Sequence, residues 1–189
     1  MYIPKRYIPN KLSRKDQKKQ KKNILKSRKL YKTGKYFLRP NVSSFTSNPT
    51  NHVKTAKKIY NISSMKPSRK LVIKSGCSRK TLEAIVDKGR AAYYSGGSRP
   101  NQTPDSWGNA RLASAITGGN SSIMDYHLLH SGCKPTSKAL KLATKTCRKQ
   151  NKCLKCHAYS PGSISDNSHL LTGFAGNQTF SINQAIKQW

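Results

Sequence analysis

The residues best equipped for chemistry crowd into one stretch. Cys147, Cys153, Cys156 and His157 fall within eleven residues, and His127, His130 and Cys133 precede them. Cys153-Leu154-Lys155-Cys156 has the spacing of a zinc knuckle, because two intervening residues let both thiolates reach one tetrahedral ion. Cys133 and Cys147 complete a four-ligand set, so Cys133, Cys147, Cys153 and Cys156 are the candidate metal ligands and zinc the candidate ion. One CxxC is half of a closed site, and disulfides or free thiols are the other states open to these cysteines. Cys153-x-x-Cys156-His157 also spells a c-type haem attachment string, but that chemistry needs an export route, and Met1-Tyr2-Ile3-Pro4-Lys5 lacks the apolar run of a signal peptide. Cys77 stands apart and reads as a small core residue. An odd total of five cysteines without a secretory context argues against a full disulfide framework.

Two further constellations point to anions. Ser95-Gly96-Gly97-Ser98-Arg99-Pro100-Asn101-Gln102-Thr103 sets glycines beside Arg99 and leads into a helix N-terminus, where backbone N–H groups attract phosphate or carboxylate. No Gly-Lys-Ser/Thr follows, so this is not a Walker A loop. Residues 68–86 read as helix–turn–helix, with Leu71, Val72 and Ile73 before a Ser75-Gly76 turn and Leu82 and Ile85 after it. That arrangement puts Arg79 and Lys80 at the groove-facing start of a second helix. The plainer reading is two core helices joined by a tight turn.

Catalytic sets are missing. The few acids are scattered, with no DxD or ExxE pair for metal-assisted phosphoryl transfer. No nucleophile elbow surrounds a serine or cysteine, and no HExxH-like element is present. The expectation is a protein that is not an enzyme and takes no small-molecule substrate.

Charge dominates everything else. The chain carries 37 Lys+Arg against 6 Asp+Glu, a formal +31 over 189 residues. Such a field repels itself and is relieved by an acidic partner: nucleic acid, an acidic protein surface or anionic lipid. Residues 1–70 hold 21 of the basic residues and one acid, Asp16. Lys18, Lys19, Lys21, Lys22, Arg28 and Lys29 form the densest run and, with Arg79, Lys80 and Arg99, are the candidate anion- or partner-binding residues.

Positioning these residues requires helices. Ser13 caps a Lys-rich helix running to about Lys32, with Gly34 as its stop. Ile24, Leu25, Leu30 and Tyr31 give it a thin apolar stripe, and like charges at i,i+4 weaken it in isolation. A second helix spans roughly Asn51 to Tyr60. From Ser78, the residues Leu82, Ile85, Val86, Gly89, Ala92 and Tyr93 recur at helical spacing up to Gly96-Gly97. Thr103-Pro104 opens a helix to about Thr117, with Trp107, Ala110, Ala113 and Ile116 inward. Further helices are expected at about 122–130 and 136–149. The fold class is therefore mainly α: a small helical domain with a long extended basic N-terminal arm and a polar extended C-terminal tail. The expected boundaries are residues 1–66 for the arm, 67–157 for the helical domain ending in the Cys/His cluster, and 158–189 for the tail. Tyr7, Tyr36, Phe37 and Trp189 are the expected partner anchors, since aromatic side chains interleaved with basic residues suit pockets on a neighbour.

Two strings resemble a known family. One runs from Tyr2-Ile3-Pro4-Lys5 through the Lys-rich helix to Ser27-Arg28-Lys29-Leu30-Tyr31-Lys32-Thr33-Gly34-Lys35-Tyr36. The other is Gly89-Arg90-Ala91-Ala92-Tyr93-Tyr94-Ser95-Gly96-Gly97-Ser98-Arg99-Pro100-Asn101-Gln102-Thr103, continued by Ser106-Trp107-Gly108-Asn109-Ala110-Arg111-Leu112-Ala113-Ser114-Ala115-Ile116-Thr117-Gly118-Gly119. Together they resemble an uncharacterised domain family of large eukaryotic DNA viruses and tailed phages, over about residues 1–130. The resemblance implies a viral origin and brings no catalytic residue.

Charge, arm, tail and resemblance lead to one expectation. The chain is a virion structural protein, a minor capsid protein that cements major and other minor capsid proteins through arm and tail. The alternative is a core DNA-binding or packaging protein neutralising genome phosphates; the inner membrane surface is a further acidic partner. The expected location is the capsid interior, after assembly in host cytoplasm or nucleus. No cofactor beyond the candidate zinc is expected.

Overall fold

The computed structural model describes residues 2–48 and 50–151. The expected tail (158–189) with its anchor Trp189, and the CxxC of Cys153 and Cys156, lie outside the described residues. The chain is mainly helical. Among the described residues, a 3-10 turn at Lys5–Tyr7 precedes eight α-helices: α1 (Arg14–Lys32), α2 (Asn51–Tyr60), α3 (Arg69–Ser75), α4 (Arg79–Gly96), α5 (Pro104–Ile116), α6 (Asn120–Met124), α7 (Tyr126–Gly132) and α8 (Lys138–Gln150).

Local chemistry explains where they start. Ser13, Thr50, Ser68, Ser78, Thr103 and Ser137 each accept the N–H three residues on, capping α1, α2, α3, α4, α5 and α8. Each such cap is worth about 1 kcal/mol to its helix. Positive φ at Gly34, Asn61, Gly76, Gly97 and Asn151 then turns the chain out of α1, α2, α3, α4 and α8.

Around α5 the core assembles. Leu112, Ala113, Ala115 and Ile116 on α5 are fully buried among Leu82, Ile85 and Val86 of α4, Ala56 and Tyr60 of α2, Leu129 of α7, and Ala139, Ala143 and Cys147 of α8. The α4–α5 crossing is closest at two glycines. A Cβ on Gly89 would stand 2.5 Å from the Gly108 Cα, and one on Gly108 would stand 2.7 Å from the Val86 carbonyl oxygen. Only hydrogen at both positions permits that approach. Tyr60 reaches across the core to donate its hydroxyl to the Ile116 carbonyl at 2.6 Å.

One expected helix is two. Residues 122–130 break at Asp125, which is fully buried between α6 and α7. Its carboxylate accepts from Arg111 Nε at 2.7 Å and Nη2 at 2.8 Å, and lies 3.1 Å from Lys88 Nζ. A buried carboxylate must be paired, and satisfying it in this way outweighs one turn of continuous helix.

Two cysteine expectations are corrected. Cys77 and Cys133 form a disulfide across an antiparallel bridge, flanked by Ser78 N–H to Gly132 O at 2.7 Å and Lys134 N–H to Gly76 O at 2.8 Å. Cys77 is therefore more than a small core residue. Cys133, with its sulfur bonded to Cys77, is not a thiolate ligand. The bridge pins the α3–α4 turn to the end of α7, 56 residues downstream.

The basic segment is not an outstretched arm either. Asp16, Gln20, Ile24 and Ser27 form the buried face of α1, which lies on the C-terminal end of α4, and Tyr7, Leu12 and Val42 are buried with it. Residues 35–48 return along the same side as an extended strap. Among the described residues, no helix is long and apolar enough to cross a membrane.

Candidate polyanion-binding surface

What holds α1 down decides what it presents. Its docking face is mostly polar, with Ile24 as its one apolar member. Gln20 Nε2 donates to the carbonyls of Tyr7 and Ser98, both at 3.2 Å, and Ser27 donates to the Tyr94 carbonyl. Arg28 sends Nε and Nη2 to the Gly96 carbonyl at 3.2 and 2.6 Å, and Nη1 to the Tyr2 carbonyl at 2.9 Å. Asp16 faces the strap, accepting from Ser44 N–H at 2.9 Å and from the hydroxyls of Ser44 at 2.6 Å and Ser43 at 3.3 Å. Those bonds, the Ser44 hydroxyl foremost, hold its carboxyl below the usual range.

Arg39 locks the strap. It is 9 % exposed and donates to Ser27 Oγ, the Tyr93 carbonyl and Ser98 Oγ, with its guanidinium 3.5 Å over the Tyr93 ring. All these partners are neutral, so burial lowers its pKa to about 10 and it remains a cation at neutral pH. Farther along, Asn101 at positive φ closes the strap, accepting from Val42 N–H and donating to the carbonyls of Val42 and Phe45.

With Asp16, Gln20, Ile24 and Ser27 turned inward, helical periodicity turns Arg14, Lys18, Lys21, Lys22, Lys29 and Lys32 outward in one stripe. The stripe follows a helix about 28 Å long. All six are exposed. Leu25 sits among them and, with Arg28, Lys29 and Lys32, lines a shallow groove of about 320 Å³. Lys19 lies to one side, donating to the Asn41 carbonyl at 2.9 Å.

Each described acid is engaged elsewhere. Asp16 is held by the strap and Asp125 by Arg111 and Lys88. Glu83 pairs with Arg79, while Asp87 and Asp105 share Arg90. Among the described residues, no ion pair involves a cation of α1. The surface is therefore cationic and uncompensated, on a helix whose position is set by the body.

Other expected site residues are placed differently. Arg28 holds the arm down more than it faces outward. Arg79 and Lys80 are exposed at the opposite end of α4 from the α1 contact, about 25 Å along an 18-residue helix, and Arg79 is bonded to Glu83. Arg99 is exposed, but the loop beside it is no open anion cradle: Gly97 N–H turns back to Ala92 and Tyr93, and Gln20, Arg28 and Arg39 fill the loop from the α1 side. Tyr7 is buried edge-on against Trp107, 5.8 Å between ring centres, so it anchors the arm to its own body and not to a partner. Phe37 is half-buried under Lys26, whereas Tyr36 is 71 % exposed. Cys147 is buried on α8 and disulfide-bonded. Among the described residues, no group of three or more His, Cys, Asp or Glu side chains comes together for a metal.

A family model matches residues 4–127, from the first turn through α6: the family of unknown function DUF5824. The chain belongs to that family. The matched stretch takes in α1, the strap and the α4–α5 crossing together, so the basic segment and most of the body fall within one family unit, and α8 lies beyond it. Neither the curated proteins nor the solved structures contain a match to this chain.

Residues that periodicity could not find do most of the positioning. Arg39 sits in an extended segment and Gln20 within a lysine run; their importance comes from groups 54 to 78 residues away in sequence. A single acid in a basic segment, Asp16, was the one visible signal.

Proposed function

We propose that this protein is a non-catalytic structural component of a virus particle that neutralises polyanionic surfaces, foremost the phosphates of packaged nucleic acid. The observation that carries this reading is the stripe of Arg14, Lys18, Lys21, Lys22, Lys29 and Lys32, facing outward while all five described acids are engaged elsewhere. A cationic face held in place by its own body binds phosphate without the ordering cost of a free arm. Such binding releases counterions, so affinity falls steeply with salt and depends little on sequence. The viral setting rests on the strings that resemble viral and phage proteins, and a location in the capsid interior is part of the same proposal.

The test is fluorescence anisotropy on a labelled duplex across a salt series. Changing Lys18, Lys21, Lys22, Lys29 and Lys32 together to Gln is expected to reduce the log–log salt slope by about 4. An unchanged slope would place the phosphate contacts elsewhere and sink this reading.

A second reading is a minor capsid protein cementing major and other minor capsid proteins, or bridging them to an inner membrane surface. Residues 160–189 favour it, with Lys187 as their one Lys or Arg and Trp189 at the end, because a chain built only to condense DNA has no use for such a segment. Crosslinking in purified particles separates the two: adducts from α1 go to DNA on the first reading and to capsid protein on the second. Neither reading needs a cofactor.

A further inference from the structure

At the C-terminal end of α1 the cationic stripe meets a cluster of tyrosines. Gly34, at positive φ, reverses the chain, and Lys35 N–H returns to the Leu30 carbonyl at 2.9 Å, which brings Tyr36 back beside Tyr31. Tyr31 and Tyr94 lie near-parallel, 6.0 Å between centres and 9° between planes. Tyr36 stands edge-on to both, at 6.0 Å from Tyr31 and 5.0 Å from Tyr94. Tyr93 braces Tyr94 from below at 5.1 Å, and itself lies under Arg39. Two inner rings thus hold the outer one, and Tyr36 is 71 % exposed.

The cluster has cations around it. Lys32 and Lys35 adjoin it in the chain and are exposed, and Arg28 lies one turn before Tyr31. Asp105, the acid that bears on Tyr94, is held by Arg90 at 2.6 Å. Arg28 also fixes the backbone of Tyr2, whose side chain is 77 % exposed. An exposed aromatic ring in a buttressed position, with a track of lysines leading to it, has the two elements of single-strand binding: a stacking surface for bases and cations for the backbone. A duplex offers the lysines the same phosphates but keeps its bases stacked inside.

We infer that Tyr36, held by Tyr31 and Tyr94 at the end of the α1 lysine stripe, is a stacking platform for the bases of single-stranded nucleic acid. This deepens the phosphate-binding reading and rests on it: the stripe supplies affinity for any nucleic acid, and the platform supplies preference for unpaired strands. It also gives the cluster a purpose that core packing does not, since an outer ring left in water adds little to stability.

The experiment compares three probes of equal length on the full chain at one salt concentration: oligo(dT), a duplex, and an abasic deoxyribose-phosphate strand. Wild type is expected to bind oligo(dT) more tightly than the abasic strand. Tyr36→Ala is expected to weaken oligo(dT) binding about tenfold while leaving the abasic strand and duplex unchanged, and Tyr36→Phe to keep wild-type affinity. Circular dichroism of both variants checks that α1 remains folded; if Tyr36→Ala disturbs it, Tyr36→Leu, which keeps an apolar side chain and removes the stacking face, reads the same difference. Equal binding of wild type to oligo(dT) and the abasic strand overturns the platform while the phosphate reading stands, and the tyrosines then suit a protein pocket better. Failure of wild type to bind any of the three probes overturns both.

Discussion

The basic N-terminal region and the helical body are held by different physics. In the body, α5 is enclosed by apolar side chains, the α4–α5 crossing depends on two facing glycines, Arg111 and the partly exposed Lys88 join three helices at the buried Asp125, and a disulfide ties the α3–α4 turn to α7. The N-terminal region buries few apolar side chains. It is fastened by Gln20, Arg28, Arg39 and Asn101 reaching backbone carbonyls, and by Asp16 collecting serine donors. The difference teaches how a segment this basic stays docked: cations satisfied by neutral carbonyls keep their charge, so the region adheres to the body without consuming the field it presents.

That contrast is open to attack at its strongest point first. Asp125→Ala leaves Arg111 buried without its carboxylate and is expected to cost about 3–5 kcal/mol of global stability, read as a shift of the urea midpoint. A midpoint near wild type would mean that the cluster is not what joins α4, α5 and α7.

The disulfide comes next. Reducing Cys77–Cys133, or replacing both cysteines with serine, is expected to lower stability by about 2–4 kcal/mol, since the bridge closes a long loop. Thermal melting of the double serine variant against wild type measures it.

Arg39→Ala should act on one region only. It removes the guanidinium from the Ser27 and Ser98 hydroxyls and from the Tyr93 carbonyl, which keeps only the Gly97 N–H, at a cost of about 1–3 kcal/mol. Hydrogen exchange is expected to show loss of protection in α1 with α4 and α5 unchanged. Uniform loss across all helices would merge the two regions into one cooperative unit and erase the comparison.

The smallest effect belongs to Asp16. Its folded pKa is depressed, so its contribution is complete above the unfolded value of about 3.9 and disappears as pH falls through the lower folded value. Asp16→Asn is therefore expected to flatten the acid limb of the stability profile below about pH 4 and to leave the region above pH 6 with a constant offset. An acid limb identical to wild type would remove Asp16 from the fastening.

Helix starts were the most legible feature of the chain. Ser13, Ser78 and Thr103 act locally, each on an N–H three residues away, and a local interaction can be read from a string of letters. The lysine stripe was half legible. Its composition was plain, but its outward direction depends on Gln20 and Ser27 facing inward, and polar residues carry no hydrophobic period to announce that. The break at Asp125 and the pairing of Cys77 with Cys133 were not legible, because each depends on a partner 14 to 56 residues away.

The sequence by itself determined the helical class and the excess of positive charge, since these follow from composition and short-range spacing. Only the tertiary structure decided that the basic segment lies docked, that Tyr7 faces inward while Tyr36 faces outward, and that every described acid is already engaged. Those outcomes are set by which distant carbonyl, ring or carboxylate each side chain meets, and neither composition nor periodicity encodes a meeting between residues far apart in the chain.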